Sequence, residues 1–161
     1  MPDAGAEDGL VESVVRINRT SKTVKGGRRF GFSTIVVVGD RQGRVGYGFG
    51  KANEVPGSVQ KGLSAARRSL VRISIARGTI PYEVTGRFGA SSVYMRPASP
   101  GTGVIASKSV RAVMEVLGVT DILTKCRGST NPINVVKAVL AGLQSIRAPE
   151  EQMRLRNGGR S

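Results

Sequence analysis

Residues 30–50 read FGFSTIVVVGDRQGRVGYGFG, and this stretch decides the fold. Phe30, Phe32, Thr34, Val36 and Val38 fall on one side of an alternating segment, so residues 30–38 predict a long strand. Gly39-Asp40-Arg41-Gln42-Gly43 then breaks the pattern, because glycine accepts the positive φ angles of a tight reversal. Beyond it Val45, Tyr47 and Phe49 alternate with Gly46, Gly48 and Gly50, which predicts a strand with one face bare of side chains. Upstream, Lys25-Gly26-Gly27-Arg28 is a second turn signal, and before it Val15 and Ile17 alternate with Arg16 and Asn18 in a strand within residues 11–20. Downstream, Pro56 and Gly78 bracket a helix over residues 55–77. Val55, Val59, Leu63, Ala66, Leu70 and Ile73 would form its sheet-facing stripe, and Lys61, Arg68 and Arg72 would share another face. Antiparallel strands first and a helix last give a βββα unit, which argues for α+β and against a doubly wound parallel sheet.

A joint near residues 78–81 leads to a second unit. It opens with a hairpin, strands at residues 82–88 and 91–96 around Gly89-Ala90, and continues through a Pro/Gly/Ser loop at residues 97–103. A short strand fits residues 104–106. A helix over residues 107–117 carries Val110, Val113, Met114 and Leu117 on one face and stops at Gly118. A strand at residues 121–127 follows, and then Asn131 as N-cap with Pro132 in the first helical position. Ile133, Val136, Val139, Leu140, Leu143 and Ile146 make the stripe of that last helix. The expected organisation is an acidic, disordered leader (1–10), a first domain (11–79), a second α+β domain (80–148) and a charged tail (149–161).

The chain has 161 residues, 25 Lys plus Arg against 11 Asp plus Glu, no histidine and one cysteine, Cys126. Without histidine there is no imidazole base, no Ser-His or Cys-His pair and no Cys/His zinc cage, and a lone cysteine makes no disulfide framework. The carboxylates offer no substitute: Asp40, Glu54, Glu83, Glu115 and Asp121 form no close-spaced motif, and the others lie within the first twelve residues and in the tail. Neither a catalytic site nor a metal site nor a cofactor is expected. The longest aliphatic run, residues 35–38, is far short of the roughly 20 residues that span a bilayer. Asp3, Glu7, Asp8 and Glu12, with no basic residue among the first twelve, are the opposite of a targeting peptide, so a cytoplasmic location is expected.

The net charge of +14 peaks between Arg16 and Arg29, where Arg16, Arg19, Lys22, Lys25, Arg28 and Arg29 meet no acid. Such a run can be a solvated loop, but with the whole-chain charge it points to a polyanionic partner. A membrane surface would call for a cationic amphipathic helix, and this run lies in strand-and-turn sequence.

Three glycine patterns bear on catalysis. Gly46-Tyr-Gly48-Phe-Gly50-Lys51 fails as a Walker loop, because Val45 stands where its first glycine is needed and Ala52 has no hydroxyl for Mg²⁺. The loop from Pro97 to Ser107 resembles the phosphate loop of small-molecule kinases of the galactokinase and homoserine kinase type, but Val104 and Ile105 replace their serines. It leaves open a structural role, RNA-phosphate binding with Lys108, or a kinase using residues 101–108. Arg28-Arg29-Phe30-Gly31-Phe32-Ser33-Thr34-Ile35 half-matches the stacking motif of RNA recognition motifs, and Ser33 and Ile35 depart from it. Phe30 and Phe32 are assigned to the core, and Cys126 to a small core or partly exposed thiol.

Longer matches carry more weight. Residues 18–28 (NRTSKTVKGGR), 37–40 (VVGD), 43–48 (GRVGYG), 50–52 (GKA), 54–56 (EVP), 96–99 (RPAS), 101–103 (GTG), 114–116 (MEV) and 128–134 (GSTNPIN), in this order over residues 10–149, resemble the family of the fifth small-subunit ribosomal protein of bacterial type. The resemblance implies a double-stranded-RNA-binding-like βββα domain followed by an α+β domain of the type also found in those kinases. It further implies binding to small-subunit ribosomal RNA, contacts with the fourth and eighth small-subunit proteins, and a place near the messenger entry path with an influence on decoding accuracy. Lys25, Gly26 and Gly27 match the positions tied to spectinomycin sensitivity, and Gly103 and Arg111 match positions tied to fidelity. The expected RNA contacts are Arg16, Arg19, Lys22, Lys25, Gly26, Gly27, Arg28 and Arg29, helped by Arg44, Lys51, Lys61, Arg68, Arg72 and Lys108. Gly26 and Gly27 would let the backbone approach RNA where a Cβ would clash. No membrane and no small-molecule substrate is expected. A kinase-like protein or a free-standing RNA chaperone on the same fold are the alternatives.

Overall fold

The computed structural model describes residues 9–75 and 77–146, without the side chains of Lys22, Val24 and Arg28; the leader to Asp8 and the tail from Arg147 lie outside the described residues. The first four strands are β1 (Val11–Val24), β2 (Gly27–Gly39), β3 (Arg44–Ala52) and β4 (Val71–Arg72), paired antiparallel in the order β1-β2-β3-β4. Helix α1 (Val55–Arg68) lies between β3 and β4 in sequence. The second unit runs β5 (Val84–Phe88), β6 (Ser91–Pro97), β7 (Val104–Ile105), α2 (Lys108–Leu117), β8 (Ile122–Gly128) and α3 (Pro132–Gln144), its sheet ordered β5-β6-β8-β7 with β7 parallel to β8. The α+β class follows from these two sheets and three helices, and the short strand expected near residue 104 is present.

The bare face of β3 has a purpose. A Cβ on Gly48 would stand 1.9 Å from the Gly62 carbonyl oxygen, and on Gly50 2.0 Å from that of Ser58. The glycines let the backbone of α1 descend onto the strand, and α1 answers with small buried residues, Ser58, Gly62 and Ala66. On the same side of the sheet Val36, Val38 and Ala66 form a small apolar cluster, and the hydroxyls of Thr34 and Ser58 bond at 2.7 Å.

Helix α1 stops at Arg68, nine residues before the expected end. Leu70 to Ile75 satisfies helical spacing, but Val71, Ile73 and Ile75 also alternate, and β-branched side chains favour the extended chain. Val71–Arg72 pairs with Val45 and Arg44, and the Ile73 N–H donates to the Gly43 carbonyl at 2.6 Å. Ile73 therefore joins the core beneath the sheet instead of the α1 stripe, and Arg72 leaves the helix face expected to hold it with Lys61 and Arg68. Strand β1 also departs from simple alternation: a bulge between Val14 and Arg16 sends Val15 into the core and leaves Ile17 45% exposed.

The opposite face of the first sheet, with Ile35, Val37 and Val45, packs on α2, whose Val110, Val113, Met114 and Leu117 are fully buried. One apolar cluster thus runs from the first sheet through α2 to Val93 and Met95 of β6 and Val136, Val139 and Leu143 of α3. Backbone contacts reinforce the junction: the Arg41 N–H donates to the Val116 carbonyl at 2.9 Å and the Gly43 N–H to that of Leu117 at 3.2 Å. Asn131 caps α3 as expected, its side-chain oxygen accepting from the Ile133 N–H at 3.1 Å. No helix among the described residues is long and apolar enough to cross a membrane.

Candidate nucleic-acid interface

Strand β3 pairs with β2 only from Phe32 to Gly39, whereas β1 follows β2 all the way to Val24 opposite Gly27. Residues 20–31 are consequently a two-stranded ribbon that overhangs the sheet. Its tip is a two-residue turn at Lys25-Gly26, where Gly26 adopts φ +104. Lys25 and Arg29 are exposed along it, Arg16 and Arg19 are exposed on the part of β1 that leads into it, and Lys22 and Arg28, known here by backbone alone, are register partners of Arg29 and Thr23. The acid-free run of the sequence thus spans the ribbon and the strand that leads into it.

The other expected contacts divide by position. At the root of the ribbon, Lys61 donates its ammonium to the Lys51 carbonyl at 3.2 Å, while the Lys51 ammonium stands 5.5 Å from the Phe49 ring centroid. Arg16 and Lys108 line a cavity of about 360 Å³ between β1 and the starts of α2 and α3, with Ser107 and Cys126 in its wall. Arg44 and Arg72, register partners, lie at the far end of the sheet from the tip, and Arg68 closes α1 with its Nε on the Ser64 carbonyl. Arg44 is committed locally: its Nε is 2.9 Å from Asp40 Oδ2, and Asp40 Oδ1 accepts from the N–H groups of Gln42 and Arg44. Partial burial would raise the Asp40 pKa, but these hydrogen bonds with Arg44 and Gln42 outweigh it and hold the carboxyl below its ordinary range.

Phe30 is 44% exposed on the overhang, and so lies outside the core assigned to it; Phe32 is half-buried. The alternation was right about the side of the sheet, but at this point β3 and α1 no longer cover it. The Arg19 guanidinium instead lies 4.0 Å from the Phe30 ring centroid.

A further set of cations escaped the sequence reading. Arg87 on β5, Arg96 on β6, and Lys125 and Arg127 on β8 are all exposed. The register Arg87↔Ser92↔Arg127, with Tyr94↔Lys125 beside it and Arg96 two residues on from Tyr94, puts all four on one sheet face, away from α3. Their only signal was their place at alternate positions, opposite buried Gly86, Val93 and Met95.

The kinase-like loop is closed to phosphate by its own chemistry. The N–H groups of Gly101 and Gly103 both donate to Asp121 Oδ1, at 3.0 and 2.9 Å. The donors that would cradle a phosphate already hold a carboxylate, which would repel it. The Gly103 N–H above all, then the Thr120 hydroxyl and the Gly101 N–H, keep Asp121 below the ordinary aspartate range. Arg111 is exposed, with Nη2 3.4 Å from the Val104 carbonyl, and so borders this loop. Among the described residues no group of three His, Cys, Asp or Glu could hold a metal.

A strongly basic α+β molecule with an overhanging cationic ribbon and a second basic sheet face has the electrostatic form that suits a polyanionic partner. Two family models specify it further: ribosomal protein S5, N-terminal domain, matches residues 10–74, and ribosomal protein S5, C-terminal domain, matches residues 86–156. The chain is similar to the small ribosomal subunit protein uS5 of Syntrophobacter fumaroxidans, 57% identical over 147 residues, covering 91% of this chain and 89% of that one. It is 54% identical to the uS5 of Chromohalobacter salexigens over 142 residues (88% and 86% of the two chains) and 52% identical to that of Lawsonia intracellularis over 145 residues (90% and 89%). The chain belongs to the ribosomal protein S5 family, whose members are structural and not enzymes.

Proposed function

We propose that the chain is a structural constituent of the small ribosomal subunit in the cytoplasm and binds small-subunit ribosomal RNA. The observation that carries this reading is the overhanging ribbon together with the strand that leads into it: Arg16, Arg19, Lys25 and Arg29 stand exposed there, with no carboxylate between residues 16 and 29. Phosphates along an irregular RNA surface would neutralise the ribbon, and Lys61 and Lys51 at its root would extend the contact. Arg16 with Lys108, and the sheet face bearing Arg87, Lys125 and Arg127, give further contact lines. Arg44, Arg68 and Arg72 belong to a separate, distal patch, and Arg44 contributes least because Asp40 already pairs with it.

The family resemblance supports the finer assignments. The tip residues Lys25, Gly26 and Gly27 govern spectinomycin sensitivity; Gly103, in the Asp121-held loop, and Arg111, whose guanidinium reaches the Val104 carbonyl beside it, form the accuracy-related interface with the fourth small-subunit protein. The eighth protein is the other neighbour, close to the messenger entry path, and the chain contributes to subunit assembly. Sucrose-gradient sedimentation of a gentle lysate tests the reading. A stoichiometric peak with small subunits that survives moderate salt is expected. Protein found only at the top of the gradient would indicate a free RNA chaperone and overturn the ribosomal assignment.

A further inference from the structure

Phe30 is an aromatic ring that the fold leaves uncovered. It projects from the part of β2 that β3 does not reach, it is 44% exposed, and Arg19 from the neighbouring strand lies across it at 4.0 Å. Arginine on an aromatic face forms a flat, cationic platform held by the interaction between charge and ring quadrupole. Beside the platform the ribbon and the first turns of α1 enclose an open groove of about 690 Å³, walled by Thr20, Ser21, Phe32, Asn53 and Lys61. No carboxylate lines the groove, and its polar side chains are two hydroxyls, the Asn53 amide, the ammonium groups of Lys51 and Lys61 and the Arg29 guanidinium. Phe30, Phe32 and Ala52 give the groove an apolar surface, and the hydroxyls and cations around them suit a ligand that is flat, polar at its edge and anionic. A nucleobase finds a stacking surface, hydrogen-bonding groups for its edge, and cations for the adjoining phosphate.

We propose that this groove receives one unpaired nucleotide of RNA, its base stacked on the Phe30–Arg19 platform and its phosphate directed to Lys61. The inference rests on the RNA-binding reading given above. The base must be unpaired, because inside a duplex both of its faces are already stacked. The site adds to the phosphate contacts of the ribbon a preference for RNA with a bulge or a single-stranded turn.

The test uses the full chain, a fully paired RNA duplex, and the same duplex with one bulged 2-aminopurine. Wild-type protein should bind the bulged RNA more tightly and quench the fluorescence of the bulged base. Phe30→Leu keeps an apolar side chain but removes the π face; it should weaken binding to the bulged RNA by about 5- to 150-fold, the scale of one lost base–aromatic stack, and leave duplex binding unchanged. Phe30→Tyr should restore both affinity and quenching. Equal losses on both RNAs, or no loss on either, would overturn the proposal while leaving RNA binding in place. Wild-type protein that binds neither RNA at low salt would overturn the RNA-binding reading and this proposal with it.

Discussion

At the scale of single residues, two glycines serve opposite ends. Gly48 is needed for space: its Cβ would stand 1.9 Å from the Gly62 carbonyl oxygen and 2.6 Å from the Ala66 nitrogen, both backbone atoms that cannot swing aside. Gly26 is needed for conformation, since at φ +104 an added Cβ meets nothing within 4 Å. Gly48→Ala should therefore lift α1 off the sheet and cost at least about 1–3 kcal/mol in urea denaturation, the range for overpacked cores. Gly26→Val should cost about 1–3 kcal/mol of local strain at the tip. Its amide resonances should move only in the hairpin, and those of residues 84–144 should stay in place. Shifts spread through the second unit of Gly26→Val would refute this division of roles.

At the scale of elements, the loop before β7 depends on one carboxylate. Asp121 Oδ1 binds two loop amides, and the Thr120 hydroxyl binds Oδ2 at 3.0 Å. Because these bonds lower the folded-state pKa, the clamp contributes fully above the unfolded value of about 3.9 and is lost as pH falls through the lower folded value. The amides of Gly101 and Gly103 should keep their shifts from pH 7 to about 4 and move together below that. Asp121→Asn should abolish this acid-side titration, and an unaltered profile in that variant would assign the transition to another group. The same element level shows what was legible in sequence. Asn131-Pro132 and Gly118 are end signals with a single meaning, so α2 and the start of α3 fall where they were expected, whereas α3 stops at Gln144 and leaves Ile146, expected on its stripe, buried just beyond the helix. Leu70 to Ile75 fits both a period near four and a period of two, and hydrogen bonds from β3 and the Gly43 turn decide between them. Phe30 was assigned to the correct sheet face, but alternation carries no information on how far a neighbouring strand extends. The outer cations Arg87, Lys125 and Arg127 come together only through strand register, which no local pattern discloses.

At the scale of the whole molecule, charge and core make separate demands. If six ribbon and root cations meet phosphates, log affinity for RNA should fall with log salt at a slope of roughly −4 to −5. Arg29→Ala should flatten that slope by about one, whereas Arg44→Ala, already paired with Asp40, should leave it nearly unchanged. The core, by contrast, ignores the boundary that glycine- and proline-rich sequence near residue 80 suggests. Helix α2 belongs to the second unit by chain order, yet it carries the first sheet on one side and α3 on another, with Met114 and Val113 fully buried. A first sheet deprived of α2 would expose Ile35, Val37 and Val45, and apolar area of that kind is too costly to leave in water. The two sheets should consequently unfold in one transition. Met114→Ala makes the argument quantitative: deleting a fully buried methionine should cost about 2–5 kcal/mol. Hydrogen exchange should report that loss equally at Val36 in β2 and at Val93 in β6, although only one of these strands belongs to the same unit as α2. A loss confined to the amides of β5, β6 and β8 would mean that the first sheet holds its fold without α2, and that the continuous core is a contact between two independently stable bodies.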